Sequence, residues 1–305
     1  MKNDAYLYSK SVIATATNTS KSENQDNKGE FEGNNFNSIF IADGLGSFKY
    51  PKIASERVID FFKAQAEELN SSNAKGHHPK FAEVFRLAKQ KLIDFASEAV
   101  KDEERNEPNL FGTTAITVFE TEEKISVAYT GNGAVWHIRG NFNEFPDAYQ
   151  FPWNAINYLN PHTTPEEGKE ALYKLISNTP DFSESVPSII EFEKEKSIGE
   201  IIMICTDGIY SADQVKVGKN DKGVWVRYET SMLKFFEYLK HFFKTNTHYS
   251  KESLEETLKL YLEELKPTLD DDATIGIIIT KEALNYQNQI NWLNKNGGFN
   301  VLVQK

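Results

Sequence analysis

The stretch FNSIFIADGLGSFKYPKIAS, residues 36–55, decides the fold class. Phe36 to Ala42 is rich in aromatic, β-branched and small residues and stops directly at Asp43-Gly44, which reads as a strand delivered into a turn. Beyond the turn, Val58, Ile59 and Phe62 fall at helical spacing, so the strand feeds a helix. Two later stretches repeat the strand-and-acid part of this pattern, IIMICTDG at 201–208 and LDDDATIGIII at 269–279. Like Asp43, Asp207 and Asp271 sit at strand boundaries, where apolar neighbours fix the backbone and the carboxylate can face a crevice. Asp26, in ENQD soon after a strand-like run at Ser11 to Thr17, is a fourth acid of this kind.

Working outward, Phe81, Val84, Phe85, Ala88, Leu92 and Phe95 recur at helical spacing after a polar loop, SSNAKGHHPK. TAITVFE, KISVAYT and AVWHIRG then read as a meander of antiparallel strands. The region 141–187 is less regular, with a short helix expected from Pro165 to Ile176. It is either an insertion beside the active site or an ordinary surface excursion. Phe235, Phe236, Leu239 and Phe243 mark a later helix, and Leu254, Leu258, Tyr261, Leu262 and Leu265 another that Pro267 stops. ATIGIIIT is the last strand, and the polar tail at 285–305 either packs as an edge element or frays. Strands before and after pairs of long helices predict an α+β fold with two helix-covered sheet regions. No hinge-like linker or repeat divides residues 1–305, so a single domain is expected.

Composition narrows the function classes. Thirty-four Lys and Arg against forty-five Asp and Glu give a formal charge of -11, which repels nucleic acid and anionic membranes. Neither is an expected partner. The first residues, MKNDAYLYSK, lack a signal-like apolar stretch and no run reaches membrane-spanning length, so a cytoplasmic location is expected. No long coiled-coil pattern is present, and a monomer is the default. A single cysteine, Cys205, excludes an internal disulfide, and its place in IIMIC reads as a buried strand position. The six histidines show neither zinc-ligand spacing with cysteine nor a HExxH helix, and read as structural or surface residues. There is no GxxxxGK[ST] loop and no complete dinucleotide fingerprint, which argues against ATP or NAD.

The acids carry the chemistry. An isolated Asp-Gly pair is usually only a turn. Several carboxylates converging in an apolar fold repel one another and lose hydration, a cost that hard cations such as Mg2+ or Mn2+ offset.

In order and context, KSENQD, ADGLGSFKYPKIAS, FGTTA, TGNGAVW, CTDG and DDAT resemble the motifs of the metal-dependent PP2C-type serine/threonine protein phosphatases, from about Lys21 to Thr280. The resemblance implies a four-layer α-β-β-α sandwich with two central, mostly antiparallel sheets and a cleft holding two divalent cations, Mn2+ or Mg2+. It implies that Asp43 bridges both ions, that the Gly44 carbonyl contacts one, and that Asp26, Asp207 and Asp271 complete the metal site as the catalytic acids. Asp272 reads as a neighbour of the site rather than a ligand, and Asp270 is weaker still. The implied reaction is hydrolysis of phosphoserine or phosphothreonine in a protein substrate by a metal-activated water.

Several positions depart from the family pattern. Lys21 stands where a phosphate-binding arginine is common; it keeps the charge but not the two-pronged donor, and otherwise reads as a solvated lysine. Asn132 replaces an aspartate in TGNGAVW, which weakens the case for a third cation. Ser47 and Pro51 replace loop glycines and imply a different loop path, and Gln25 replaces a glutamate. Gly112, Thr113 and Thr114 look structural, with polar contacts to the metal-site scaffold open to them, and no adjacent base makes either threonine a nucleophile. Two alternatives stay open: a catalytically silent binding or regulatory domain, and a phosphatase for a small phosphorylated metabolite.

Overall fold

The computed structural model describes residues 9–14, 23–33, 35–71, 79–100, 109–140, 153–166, 169–194, 199–212, 217–219, 222–223, 225–227, 231–245, 250–281 and 283–284. In chain order the first elements are β1 (Ser9–Ala14), β2 (Asp26–Glu32), β3 (Phe36–Asp43), α1 (Pro51–Ser71) and α2 (Phe81–Ala99). Next come β4 (Gly112–Thr113), β5 (Ala115–Thr121), β6 (Lys124–Thr130), β7 (Ala134–Gly140), β8 (Trp153–Asn157), β9 (Thr163–Glu166), β10 (Lys169–Leu172), β11 (Ile176–Ser177), β12 (Ser188–Glu193) and β13 (Ile201–Cys205). The chain continues through α3 (Asp207–Ala212), β14 (Val217–Lys219), β15 (Trp225–Arg227), α4 (Ser231–Thr245), α5 (Lys251–Leu265) and β16 (Ala273–Ile279).

Two five-stranded antiparallel sheets form the centre, one in the order β12-β6-β5-β3-β2 and the other β1-β16-β13-β7-β8. Alternation along β3 shows how they stack. Ile39 and Ile41 face the second sheet, whose Val135, Ile202, Ile204 and Ile278 complete the inner core. Phe36, Phe40 and Ala42 face the opposite way, onto Val58, Ile59 and Phe62 of α1 and Phe85 and Leu92 of α2. The second sheet repeats the arrangement, with Met203, Cys205, Ile275 and Ile277 packed on Phe235, Leu239, Leu258 and Tyr261 of α4 and α5. Both faces of the central strands are covered, so their sequences are continuous apolar runs. Burial of each such side chain contributes about 1.5–3 kcal/mol, more than the roughly 1 kcal/mol span of strand propensity. The result is the four-layer α-β-β-α sandwich expected from the sequence.

Three expectations need revision. The stretch from Pro165 to Ile176 is not helical: β9 and β10 pair as an antiparallel hairpin, and β11 pairs with β4. Thr163 and Thr164 favour strand, and Pro165 is tolerated at a sheet edge. The three-strand meander is also broken. β5 pairs with β6, but β7 crosses to the other sheet beside β13. Gly131 and Gly133 make that corner with φ of 97° and 116°, a region closed to most side chains. The first strand lies at Ser9–Ala14 rather than starting at Ser11, and Thr15–Thr17 fall outside the described residues. The tail at 285–305, most of the 71–80 loop and residues 141–152 also fall outside them.

Candidate active site

Each acid reaches the site because a strand ends there. Asp26 opens β2 and Asp43 closes β3, and the antiparallel register places them opposite one another. Asp207 follows β13 as the first residue of α3, and Asp271 stands two residues before β16. The first pair therefore belongs to one sheet and the second pair to the other. Asp43, Gly44, Asn132, Asp207 and Asp271 line a common cavity of about 470 Å³ at the mouth between the sheets.

Asp26 is buried at the join. Its Oδ2 accepts hydrogen bonds from the hydroxyls of Thr206, at 2.9 Å, and Thr274, at 2.6 Å. The Thr274 N–H donates to Thr206 Oγ1 at 2.9 Å, so the two threonines hold each other as well. Asp43 is fixed through its backbone: its N–H donates to Thr114 Oγ1 at 3.2 Å, and its carbonyl accepts from the Thr113 hydroxyl and the Thr114 N–H, both at 2.8 Å. Gly112, Thr113 and Thr114 thus brace the site and offer no nucleophile. Gly44 packs so tightly on the Pro51 carbonyl that any Cβ there would collide with it. Pro51 begins α1 and shapes this approach.

The remaining polar groups position the other acids. Asn132 Nδ2 donates to Asp207 Oδ2 at 2.8 Å. Asp271 Oδ1 accepts the N–H of Asp272, at 2.7 Å, and Asp272 Oδ2 accepts the N–H of Gln25, at 2.9 Å. Asp272 is accordingly a tether between β16 and the entry to β2. Lys21 lies outside the described residues.

Electrostatics single out the same group. Burial pushes the Asp26 carboxyl up to about 7, against the opposing effect of its threonine hydrogen bonds. Burial likewise raises Asp43 well above the ordinary carboxylate range, reinforced by the charges of Asp26, Asp207 and Asp271. Asp26 Oδ1, Asp43 Oδ1 and Gln25 Oε1 are buried without a hydrogen-bond donor. A buried unsatisfied polar atom costs about 1–3 kcal/mol, more when it is charged. An all-oxygen donor set with orphaned carboxylate oxygens fits Mg2+ or Mn2+. Among the described residues no three His, Cys, Asp or Glu side chains surround a shared coordination point.

Sequence reasoning singled out the acids but missed their supports. Thr206 and Thr274 lie inside CTDG and DDAT, one residue before Asp207 and three after Asp271, and the signal was present in those motifs. His162, read as isolated, is buried: its Nδ1 accepts the N–H of Gly131 at 3.1 Å and its Nε2 lies 2.8 Å from Ser188 Oγ. It anchors the loop that presents Asn132, a role no local spacing signals.

Comparison with the curated proteins finds no match. Solved structures share the fold at low identity. A bacterial serine phosphatase aligns with a TM-score of 0.58 and 14% identity, over 90% of this chain and 98% of its own. The serine/threonine phosphatase Stp1 from Staphylococcus aureus gives 0.56 and 15%, over 92% and 97%. RsbX, solved in complex with magnesium, gives 0.50 and 15%, over 92% and 98%. The family model for protein phosphatase 2C matches residues 15–259. With that match spanning most of the sequence and the two-sheet sandwich beneath it, this chain belongs to the protein phosphatase 2C family.

Proposed function

We propose that the protein hydrolyses phosphoserine and phosphothreonine in protein substrates, with two divalent cations, Mn2+ or Mg2+, held by Asp26, Asp43, the Gly44 carbonyl, Asp207 and Asp271. The observation that carries this reading is a set of like-charged, partly orphaned carboxylates brought to one cleft from two sheets. None of the described residues lining that cleft is Lys or Arg. Fully ionised, such an arrangement opposes folding unless cations offset it, and without them the raised Asp26 and Asp43 carboxyls take up protons instead. The magnesium bound in the RsbX structure supports a divalent ion in this fold.

When bound, two such cations supply an activated water and neutralise charge on the phosphoryl group. The chain's own residues do the positioning. Thr206 and Thr274 occupy Asp26 Oδ2 and leave Oδ1 as the donor, while Asn132 fixes the orientation of Asp207. Thr113 and Thr114 hold the Asp43 backbone at the strand end. Lys21 is the proposed phosphate contact. Asn132 is neutral, so the site is proposed to hold two cations and not a third.

A phosphopeptide panel tests the reaction. Metal-stripped protein is expected to release phosphate only after Mn2+ or Mg2+ is restored. Folded protein that releases none from any peptide overturns the proposal. The Asn132 departure favours one second reading, a silent phosphoprotein-binding domain. That reading predicts tight phosphopeptide binding by calorimetry with no metal-dependent turnover.

A further inference from the structure

The cavity that collects the acids has a second character. Leu45 and Phe48, from the loop between β3 and α1, line it together with Leu172, the last residue of β10, and Leu175, just before β11. Its volume of about 470 Å³ lies within the roughly 300–1,000 Å³ of small-ligand clefts.

These apolar residues are held in place. The hairpin β9–β10 is tied at one side by the His162 N–H to the Gly131 carbonyl and the Tyr173 N–H to the His162 carbonyl, both at 3.0 Å. On its other side the Leu175 N–H donates to the Glu184 carbonyl at 3.0 Å, and Ser177 pairs with Gly112. Lys89, fully buried on α2, reaches Thr179 Oγ1 at 3.1 Å and Glu184 Oε2 at 3.4 Å, pinning the return strand to the helical layer. Across the cavity the Leu45 N–H donates to the Gly112 carbonyl at 2.9 Å, and the Phe48 ring lies against Gly112 Cα, where a Cβ would come within 2.7 Å of it. A preformed apolar surface binds without the cost of ordering it.

We infer that Leu45, Phe48, Leu172 and Leu175 form a subsite for a large apolar side chain adjoining the phosphorylated residue. The inference rests on the phosphatase reading for what fills the acidic part of the cleft. Charge supports the choice of occupant. A charge of either sign would lose hydration against the leucines. An apolar neighbour instead gains burial.

The test is a set of phosphothreonine peptides differing only at the residues flanking the phosphothreonine, which are Leu, Gly, Lys or Glu. Turnover is measured with Mn2+, and binding is measured by fluorescence anisotropy on hydrolysis-resistant phosphonate versions. At one flank, Leu is expected to exceed Glu and Gly by about tenfold or more in both kcat/KM and affinity. Leu172→Lys is expected to shift that preference towards Glu. Turnover with no flank preference overturns the subsite and leaves the phosphatase reading standing. Leu-selective binding without turnover overturns the phosphatase reading and supports the subsite. Neither turnover nor selective binding overturns both, and the wild-type comparison does not depend on the folding of the variant.

Discussion

At the end of the sandwich away from the cleft, where β5 stops and β6 begins, Glu120 and Lys194 are almost fully buried and meet at 2.7 Å, and Asn37 Nδ2 donates to the same carboxylate at 3.1 Å. Near the start of β13, Glu200 is 1% exposed and has Arg139 Nε at 3.3 Å, an ion-pair approach in which neither Glu200 oxygen receives a hydrogen bond. At the cleft end β3 finishes in Asp43 and β13 leads into Asp207, whose surroundings include Asp26 and Asp271 and no basic side chain among the described lining residues. The contrast separates acids paired within the chain from the acids proposed to hold cations. Where the fold must bury an acid for its own sake it supplies a cation from within the chain, and at the cleft it supplies more acids.

The largest expected effect that sharpens this contrast is on turnover. Asp43→Asn is expected to lower metal-dependent kcat by roughly a thousandfold, about 4 kcal/mol of barrier. The melting temperature of the cation-free variant should not fall, because the substitution removes a desolvated, repelled charge. A variant that unfolds as readily as one lacking a core contact would erase the distinction between the two ends. Lys194→Met is expected to do the opposite: a loss of about 3 kcal/mol or more in urea unfolding, since Glu120 is left buried without its ion pair. Cation affinity by calorimetry should be unchanged in that variant.

Cation addition gives a somewhat smaller effect. At a free Mn2+ concentration a hundred times the Kd, the folded state should gain about 2.7 kcal/mol, and Asp43→Asn should gain far less. Equal stabilisation of both proteins would place the ion elsewhere.

A further effect concerns pH. Burial lowers His162 to about 4 from an ordinary 6.5. The unfolded chain therefore takes up this proton first, and the stability associated with neutral His162 is complete above pH 6.5 and lost as pH falls towards 4. Chemical denaturation across that window should show a shallower decline for His162→Asn, which keeps an acceptor for the Gly131 N–H. Identical slopes would remove His162 as the titrating group.

Much of this was legible in the sequence because the informative residues travel with their strands. Phe36 to Ala42 announces a buried strand, and Asp43-Gly44 announces its end, so the location of an acid follows from a local pattern. The hairpin at 163–172 was illegible as such, because its apolar residues Ala171 and Leu172, with Leu175 just beyond, fit helical spacing equally well over so short a span. The β7 crossover was hidden for a different reason. Nothing in AVWHIRG distinguishes pairing with β6 from pairing with β13, and the choice is made at the Gly131–Gly133 corner together with distant partners. Thr206 and Thr274 were visible as letters, but their shared acceptor lies 180 and 248 residues away.

That distance has a further consequence. The hydroxyls on Asp26 come from the opposite sheet, so the clamp around this carboxylate closes only when both leaves have met in register. A half-assembled chain would own every acid and still lack the clamp. Any chemistry the cleft performs is thereby tied to completed folding, because the clamp exists only once the two sheets have joined.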